Sequence, residues 1–123
     1  MNNTLNKYLS DQITFLNGIE EFFTWKIDCD FRIIEINSKI GEILGYTQEE
    51  LINKSFMNLL VEPNESKFPE NLSNFHRMNH GSYKENILCK SKKWDAIQIC
   101  FDCIPVKDIK NEVVGYEGIA YKK

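Results

Sequence analysis

The chain has 123 residues, of which 42% are hydrophobic and 12% aromatic, and its formal net charge is -3. This length and composition indicate one globular domain with a single hydrophobic core, and they exclude a disordered segment. Charges of both signs are interspersed, so no basic stripe indicates binding to nucleic acid. The sequence holds no apolar run close to the length of a membrane span and opens with no secretion signal, so we expect a cytoplasmic protein.

Residues 1–21 are predicted to form an amphipathic helix that precedes the main domain, which we place at residues 22–123. Apolar side chains recur there at spacings of three and four, as one face of a helix requires. The stripe comprises Leu5, Leu9, Ile13 and Leu16. It could pack on the domain's own sheet or pair with its copy in a second chain, and the second alternative predicts a homodimer.

Two strands joined by a short turn open the main domain. Alternation places Phe23 and Trp25 on one face of the first strand, and Ile34 and Ile36 on one face of the second. The Asp-Cys-Asp sequence at residues 28–30 is typical of a tight turn, because aspartate hydrogen-bonds its own backbone. The segment therefore predicts a β-hairpin.

Short helices with recognisable ends occupy the middle of the chain. Gly45 fits the left-handed position that closes a first helix. Thr47 with Glu50 three residues later is typical of a capping box that starts a second helix. A longer helix is predicted over residues 66–79, with an apolar side that can face a sheet.

The last third of the chain is predicted to be β-structure. Alternating segments cover residues 83–89, 94–106 and 113–121. Two strands, a run of helices and three further strands predict a five-stranded antiparallel sheet with short helices on one face, which is the α+β class.

Two of the four cysteines, Cys100 and Cys103, have the CxxC spacing that is typical of zinc or redox sites. They lie within a predicted strand, where residues three apart point to opposite faces. The two sulfur atoms therefore cannot share a metal ion, and we expect free thiols and no metal site.

The order of these elements and their motifs resembles the PAS family of sensory modules. Residues 37–54, NSKIGEILGYTQEELINK, are similar to the family pattern N-x7-G-Y-x-x-E-E-L-x-G-K, with Asn53 where glycine is usual. Residues 104–108 and 113–116 resemble the last hairpin of the family. The resemblance implies the PAS fold and a non-catalytic sensory role, in which the domain regulates a fused output domain such as a histidine kinase or a diguanylate cyclase.

The resemblance also implies a ligand pocket between the inner face of the sheet and the helices. The predicted lining is Phe23, Trp25, Ile34, Ile36, Ile40, Phe56, Leu60, Leu72, Phe75, Ile97, Ile99 and Phe101. These residues could equally form a closed core, and the domain would then be a ligand-free scaffold for homodimerisation. A ligand site also needs a few polar groups, and Tyr83, Asn86 and Gln98 are the nearby candidates.

No cofactor is predicted, although an unidentified small molecule stays open. A light-sensing flavin domain needs a cysteine on the helix after the Glu-Glu-Leu turn, and Phe56 holds that position here. A redox flavin that forms no covalent adduct remains an alternative, and Trp94 at the start of its strand gives this alternative weak support. Haem needs an axial ligand, and the candidates His76 and His80 come late in their helix, beyond its apolar stripe.

A final expectation concerns an ion pair. The resemblance implies that Glu50 meets a basic residue at the first C-terminal hairpin, and Lys90 matches that position.

The sequence contains no motif that indicates an enzyme. It shows no nucleophile paired with a base, no phosphate-binding loop and no metal-binding motif.

Overall fold

A computed structural model describes residues 21–63, 66–78 and 81–122, and for residues 76–78 it describes the backbone alone. Five strands in this part of the chain form one antiparallel sheet in the order β2-β1-β5-β4-β3. They are β1 (Phe22–Asp28), β2 (Ile33–Ile36), β3 (Tyr83–Lys90), β4 (Ala96–Lys107) and β5 (Val113–Lys122). Between β2 and β3 come α1 (Ile40–Ile43), α2 (Gln48–Leu51), a 3-10 helix (Phe56–Leu59) and α3 (Phe68–Met78).

This architecture confirms the predicted α+β fold. The predicted N-terminal helix, with the stripe Leu5, Leu9, Ile13 and Leu16, lies outside the described residues. Of the helices that are described, none has the length and apolar character needed to cross a membrane.

A bulge in the β1–β2 hairpin decides which isoleucine points into the core. Lys26 pairs with Glu35, but the next residue of β1, Ile27, pairs with Ile33, so that Ile34 is the extra residue of β2. Ile33 is 1% exposed and Ile34 is 42% exposed. The prediction that Ile34 lines the core is therefore wrong, because a bulge reverses the inside-outside alternation from that point.

The ends of the short helices form as the sequence predicts. Thr47 Oγ1 accepts a hydrogen bond from the Glu50 N–H, and Glu50 Oε1 accepts one from the Thr47 N–H, which confirms the capping box. Gly45 and Asn53 have φ angles of 88° and 67°. Glycine and asparagine adopt this left-handed backbone at the lowest cost, so each can end a helical segment.

The long helix α3 begins two residues later than predicted. Ser66 Oγ accepts a hydrogen bond from the Phe68 N–H at 3.2 Å, which satisfies the first N–H of the helix. Pro69 lies in the first turn, where its missing N–H has no helical partner to lose. Phe68 and Leu72 are buried against the sheet, and this contact makes α3 one wall of the core.

The two faces of β4 carry different residues. Cys103 belongs to the main core together with Phe101, whereas Cys100 packs with Ile119 and Tyr121 on the opposite face of the sheet. The prediction that Cys100 and Cys103 point apart is confirmed. Within the described part of the chain, no group of three potential metal ligands is close enough to hold an ion.

Candidate functional site

The space between the sheet and the helices is filled by an aromatic core, which consists of Phe23, Trp25, Phe56, Phe68 and Phe101. The Phe56 ring lies at its centre, with its centroid 5.1 Å from Phe101, 5.4 Å from Phe68 and 5.9 Å from Trp25. Trp25 meets Phe101 edge to face at 5.6 Å. Such pairs contribute about 0.5–1.5 kcal/mol each beyond the area they bury, so the centre of the domain is held rigidly.

Most of the residues predicted to line a pocket meet in this core. The buried members are Phe23, Trp25, Ile36, Ile40, Phe56, Leu60, Leu72, Ile99 and Phe101. Ile97 and Phe75 are half-buried, and the Phe75 ring lies 5.1 Å from that of Tyr83. Ile34 is excluded by the bulge described above. The structure thus brings the predicted set together, and its role in lining a ligand site stays a prediction.

One polar atom lies inside the aromatic core, the indole nitrogen of Trp25. The side chain is 4% exposed, and no acceptor in the described part of the chain is within hydrogen-bond reach of Nε1. An unsatisfied buried N–H costs about 1–3 kcal/mol. The core therefore favours any molecule that brings an acceptor oxygen or nitrogen to this atom.

The residues nominated from the sequence bring no free polar group to the aromatic core, although the Tyr83 ring lies 6.3 Å from that of Phe68. Asn86 and Gln98 are exposed, and Gln98 lies opposite to Ile97 and Ile99 as strand alternation predicts. The Tyr83 hydroxyl is engaged elsewhere, since it donates to Glu85 Oε1. Strand alternation marks Trp25 only as an apolar residue, although its indole N–H is the buried donor of the core.

Several core residues were missing from the predicted lining. Phe68 lies on the same helical stripe as Leu72, so the spacing in α3 predicts its inward side, although the predicted lining omits it. Ile27 continues the alternation of Phe23 and Trp25 along β1. No periodic signal identifies the inward side of Ile33, because that depends on the bulge.

A basic residue meets Glu50 as expected, but it is Lys92 and not Lys90. The Lys92 ammonium lies 2.5 Å from Glu50 Oε2. The Lys92 N–H donates to the Leu44 carbonyl at 2.8 Å, which fixes this turn residue at the C-terminal end of α1. Lys90 is still within β3, and its ammonium lies 4.8 Å from the centroid of the Trp94 ring. The predicted pairing of Glu50 with Lys90 is wrong. Lys90 is the last residue of β3, and the lysine that reaches Glu50 lies two residues further on, in the turn after the strand.

The structure describes some of the residues on which the cofactor predictions depend, namely Phe56, Cys89 and Trp94. Phe56, at the position where a flavin adduct would need cysteine, is buried in the aromatic core. Burial raises the pKa of the Cys89 thiol to about 12, so this core cysteine is a thiol and not a thiolate at neutral pH. Trp94 is 78% exposed and lies outside β4, so it gives no support for a flavin. His80 and the side chain of His76 lie outside the described residues.

This arrangement, an antiparallel five-stranded sheet that packs an aromatic core against short helices, defines a small single-sheet α+β domain. The model of one protein family, described as the PAS fold, matches residues 20–120. The chain therefore belongs to the PAS family, which confirms the resemblance seen in the sequence. Among proteins with curated descriptions, none matches the chain.

Solved structures of similar fold are PAS domains from bacteria and an archaeon. A PAS domain from Colwellia psychrerythraea matches with a TM-score of 0.72 at 20% identity, covering 94% of this chain and 97% of that one. The N-terminal domain of a diguanylate cyclase with PAS/PAC sensor from Marinobacter aquaeolei matches with a TM-score of 0.66 at 17% identity, covering 83% and 94%. The PAS domain of an HTR-like protein from Haloarcula marismortui matches with a TM-score of 0.68 at 15% identity, covering 98% and 97%. At these identities the likeness shows the fold alone.

Proposed function

We propose that this PAS domain senses a small molecule that enters the aromatic core and accepts a hydrogen bond from Trp25 Nε1. The observation that carries the proposal is the buried indole N–H with no acceptor in the described part of the chain. Apolar surroundings with a single fixed donor favour a flat or compact molecule that bears one exposed lone pair. Binding would remove the cost of the unsatisfied donor and displace the ring of Phe56 that stacks on Trp25.

We further propose that the domain controls a fused output domain, either a histidine kinase or a diguanylate cyclase. One similar structure is the N-terminal domain of a diguanylate cyclase, which supports such an arrangement. A cytoplasmic location agrees with the four cysteines, which are all free thiols.

A comparison of two variants tests the ligand proposal. Trp94→Phe removes the exposed indole, so that the remaining fluorescence reports on Trp25, and Trp25→Phe removes the donor but keeps an aromatic ring. Small-molecule fractions from cells that make the protein should contain a component that raises the melting temperature and shifts Trp25 emission. We expect Trp25→Phe to weaken binding of that component at least about tenfold. An unchanged affinity in this variant would contradict the role of Nε1.

A second candidate function is a ligand-free scaffold for homodimerisation. The close packing of Phe56 against Trp25, Phe68 and Phe101 favours it, because side chains already occupy the centre of the domain. The predicted dimer contact is the stripe Leu5, Leu9, Ile13 and Leu16, which is outside the described residues. Four buried leucine or isoleucine side chains per chain, at about 1.5–3 kcal/mol each, would suffice for a weak dimer.

Deletion of residues 1–20 separates the two candidates. The truncated protein should remain folded and sediment as a monomer if the stripe is the interface. A truncated dimer of unchanged affinity would place the interface on the sheet instead. If no cellular fraction shifts the melting temperature while the full chain is dimeric, the scaffold function is favoured over ligand sensing.

A further inference from the structure

The outer face of the sheet, which lies opposite to the aromatic core, is buried although no described helix packs on it. Cys100, Ile119 and Tyr121 form a second apolar cluster on this face, with exposures of 4%, 6% and 8%. Phe22 packs against them, and all four are strand residues. The buried residues of the described helices belong to the main core on the other side of the sheet. Because side chains on an uncovered sheet face are in contact with water, this burial requires a covering segment.

A buried carboxylate shows that the cover extends beyond the apolar cluster. Asp102 lies two residues after Cys100 on the same face of β4, and its side chain has no exposed surface. The Lys84 ammonium lies 3.9 Å from Asp102 Oδ2. Aspartate is among the residues most often found in contact with water, so its burial on an outer face also requires a cover. Leu88 and Gln98 are exposed, and the cover therefore lies over the middle of β4 and β5 and not over this corner.

The covered area begins where the N-terminal segment meets the sheet. Phe22, the first residue of β1, pairs with Tyr121, and Tyr121 pairs with Cys100. The three side chains thus form a row across β1, β5 and β4. Residues 1–20 lead directly into this row, whereas the other stretches outside the described residues hold two residues at most. The N-terminal segment therefore has both the length and the position to cover this face.

The apolar stripe of this segment matches the covered area in size. As a helix, the stripe from Leu5 to Leu16 would be about 17 Å long. The distance from β1 across β5 to β4 is about 10 Å, so the stripe is long enough to cross all three strands. Asn17 and Gly18 come between the stripe and β1, and both residue types favour the tight turns that reverse the direction of a chain.

From this burial and this connection, we propose that residues 1–20 fold back onto the outer face of their own sheet, where the stripe covers Cys100, Ile119 and Tyr121. The short connection to β1 gives the stripe an effective concentration on the order of millimolar at this face, which a second copy in dilute solution does not reach. A docked stripe cannot pair with its copy, so this contact excludes the dimer contact of the scaffold candidate. It lies on the other side of the sheet from Trp25 and does not depend on a ligand there.

Two cysteines of β4 report on this contact, because Cys100 lies on the outer face and Cys103 lies in the main core. The full chain is treated with iodoacetamide, and the modified cysteines are identified by mass spectrometry. Leu9→Asp puts a charge into the stripe and should raise the labelling rate of Cys100 at least about tenfold, with Cys103 still protected. Thr14→Asp is the matched control, because it adds the same charge on the opposite side of the predicted helix and should leave the rate unchanged.

Cross-linking tests whether the stripe lies beside Cys100 in the same chain. Each variant carries Cys29→Ser, which removes the exposed thiol, together with one further substitution. After mild oxidation, we expect at least one stripe variant to form a disulfide with Cys100 within one chain, and the control Thr14→Cys to form none. The stripe variants are Leu5→Cys, Leu9→Cys, Ile13→Cys and Leu16→Cys.

The proposal is overturned if Cys100 is labelled rapidly in the unaltered chain, or if Leu9→Asp and Thr14→Asp give it the same labelling rate. It is also overturned if no stripe variant forms the disulfide. Disulfides that join two chains, or labelling of Cys100 that accelerates on dilution, would overturn it by identifying a second copy as the cover. Labelling of Cys103 together with Cys100 in Leu9→Asp would show that this variant unfolds, and the cross-links would then decide alone. A failure of ligand binding in the aromatic core would leave all these results unchanged.

Discussion

Glu50 accepts a hydrogen bond from Lys92 at 2.5 Å while its other carboxylate oxygen accepts one from the Thr47 N–H at 2.8 Å. One side chain thus starts α2 and also anchors the turn between β3 and β4. The hydrogen bond from Lys92 is the first cause of the lowered pKa of the Glu50 carboxyl, followed by the bond from the Thr47 backbone. The helices and the C-terminal hairpin are joined by this contact.

Lys92→Ala should lower the melting temperature slightly, and the difference should shrink as salt is added, because the pair is exposed and screened. The direction in which this stabilisation changes with pH follows from the lowered pKa of Glu50. The stabilisation is present at neutral pH and is lost as the pH falls through the folded-state pKa of Glu50. Lys93→Ala is the control, since Lys93 is an exposed lysine of the same turn that does not pair with Glu50. If Lys93→Ala proved the more destabilising at neutral pH and low salt, the contribution assigned to Lys92 would be wrong.

Gly118 allows the backbones of β5 and β4 to approach so closely that a residue with a Cβ atom would clash there. A Cβ atom there would lie 1.8 Å from the Asp102 carbonyl oxygen and 2.7 Å from the Cys103 Cα. Both contacts are to backbone, which cannot move without disturbing the strand pairing. Gly118→Ala should lower the free energy of unfolding by about 1–3 kcal/mol or more, measured by urea denaturation. Gly81→Ala should be close to neutral, since its Cβ would meet nothing within 4 Å.

The cysteines should differ sharply in reactivity. Cys29 is exposed, whereas Cys89, Cys100 and Cys103 are buried. Iodoacetamide should label the folded protein at Cys29 alone, and it should label the remaining three only in denaturant, as counted by mass spectrometry. Rapid native labelling of Cys89 would show that the core opens far more often than its packing indicates.

The same burial predicts a loss of stability at alkaline pH. Burial raises the pKa of Cys89 from 9.0 to about 12 and that of Tyr116 from 10.0 to about 12. At a pH between the ordinary pKa of each group and its raised pKa in the folded protein, the unfolded chain releases a proton that the folded chain keeps. The free energy of unfolding therefore falls as the pH rises. Each such group contributes a slope of about 1.4 kcal/mol per pH unit. Cys89→Ala should flatten the decline measured between pH 9 and pH 11; an unchanged slope would contradict the shift.

The fold could be predicted because its signals are local. Alternation identified Phe23 and Trp25 as a buried face, and the spacing of Thr47 and Glu50 identified the start of α2. Asn53 could be recognised as a left-handed residue, since asparagine is the residue that most often replaces glycine there.

The details of the site depend on contacts between distant segments. Ile33 faces the core and Ile34 faces solvent only because a bulge lies opposite Ile27. Whether Trp25 Nε1 finds an acceptor depends on every element that packs around it. The partner of Glu50 depends on the path of the turn after β3, which the sequence pattern does not specify.

The last prediction is that the purified protein is colourless. Phe56 occupies the position at which a flavin adduct would need cysteine, and it packs against Trp25, Phe68 and Phe101 where a large cofactor would have to lie. An absorption spectrum from 350 to 600 nm should therefore show no band, and native mass spectrometry should show no flavin or haem. A Soret band in proportion to the protein and lost on His76→Ala, but retained on His80→Ala, would instead establish haem with His76 as its axial ligand.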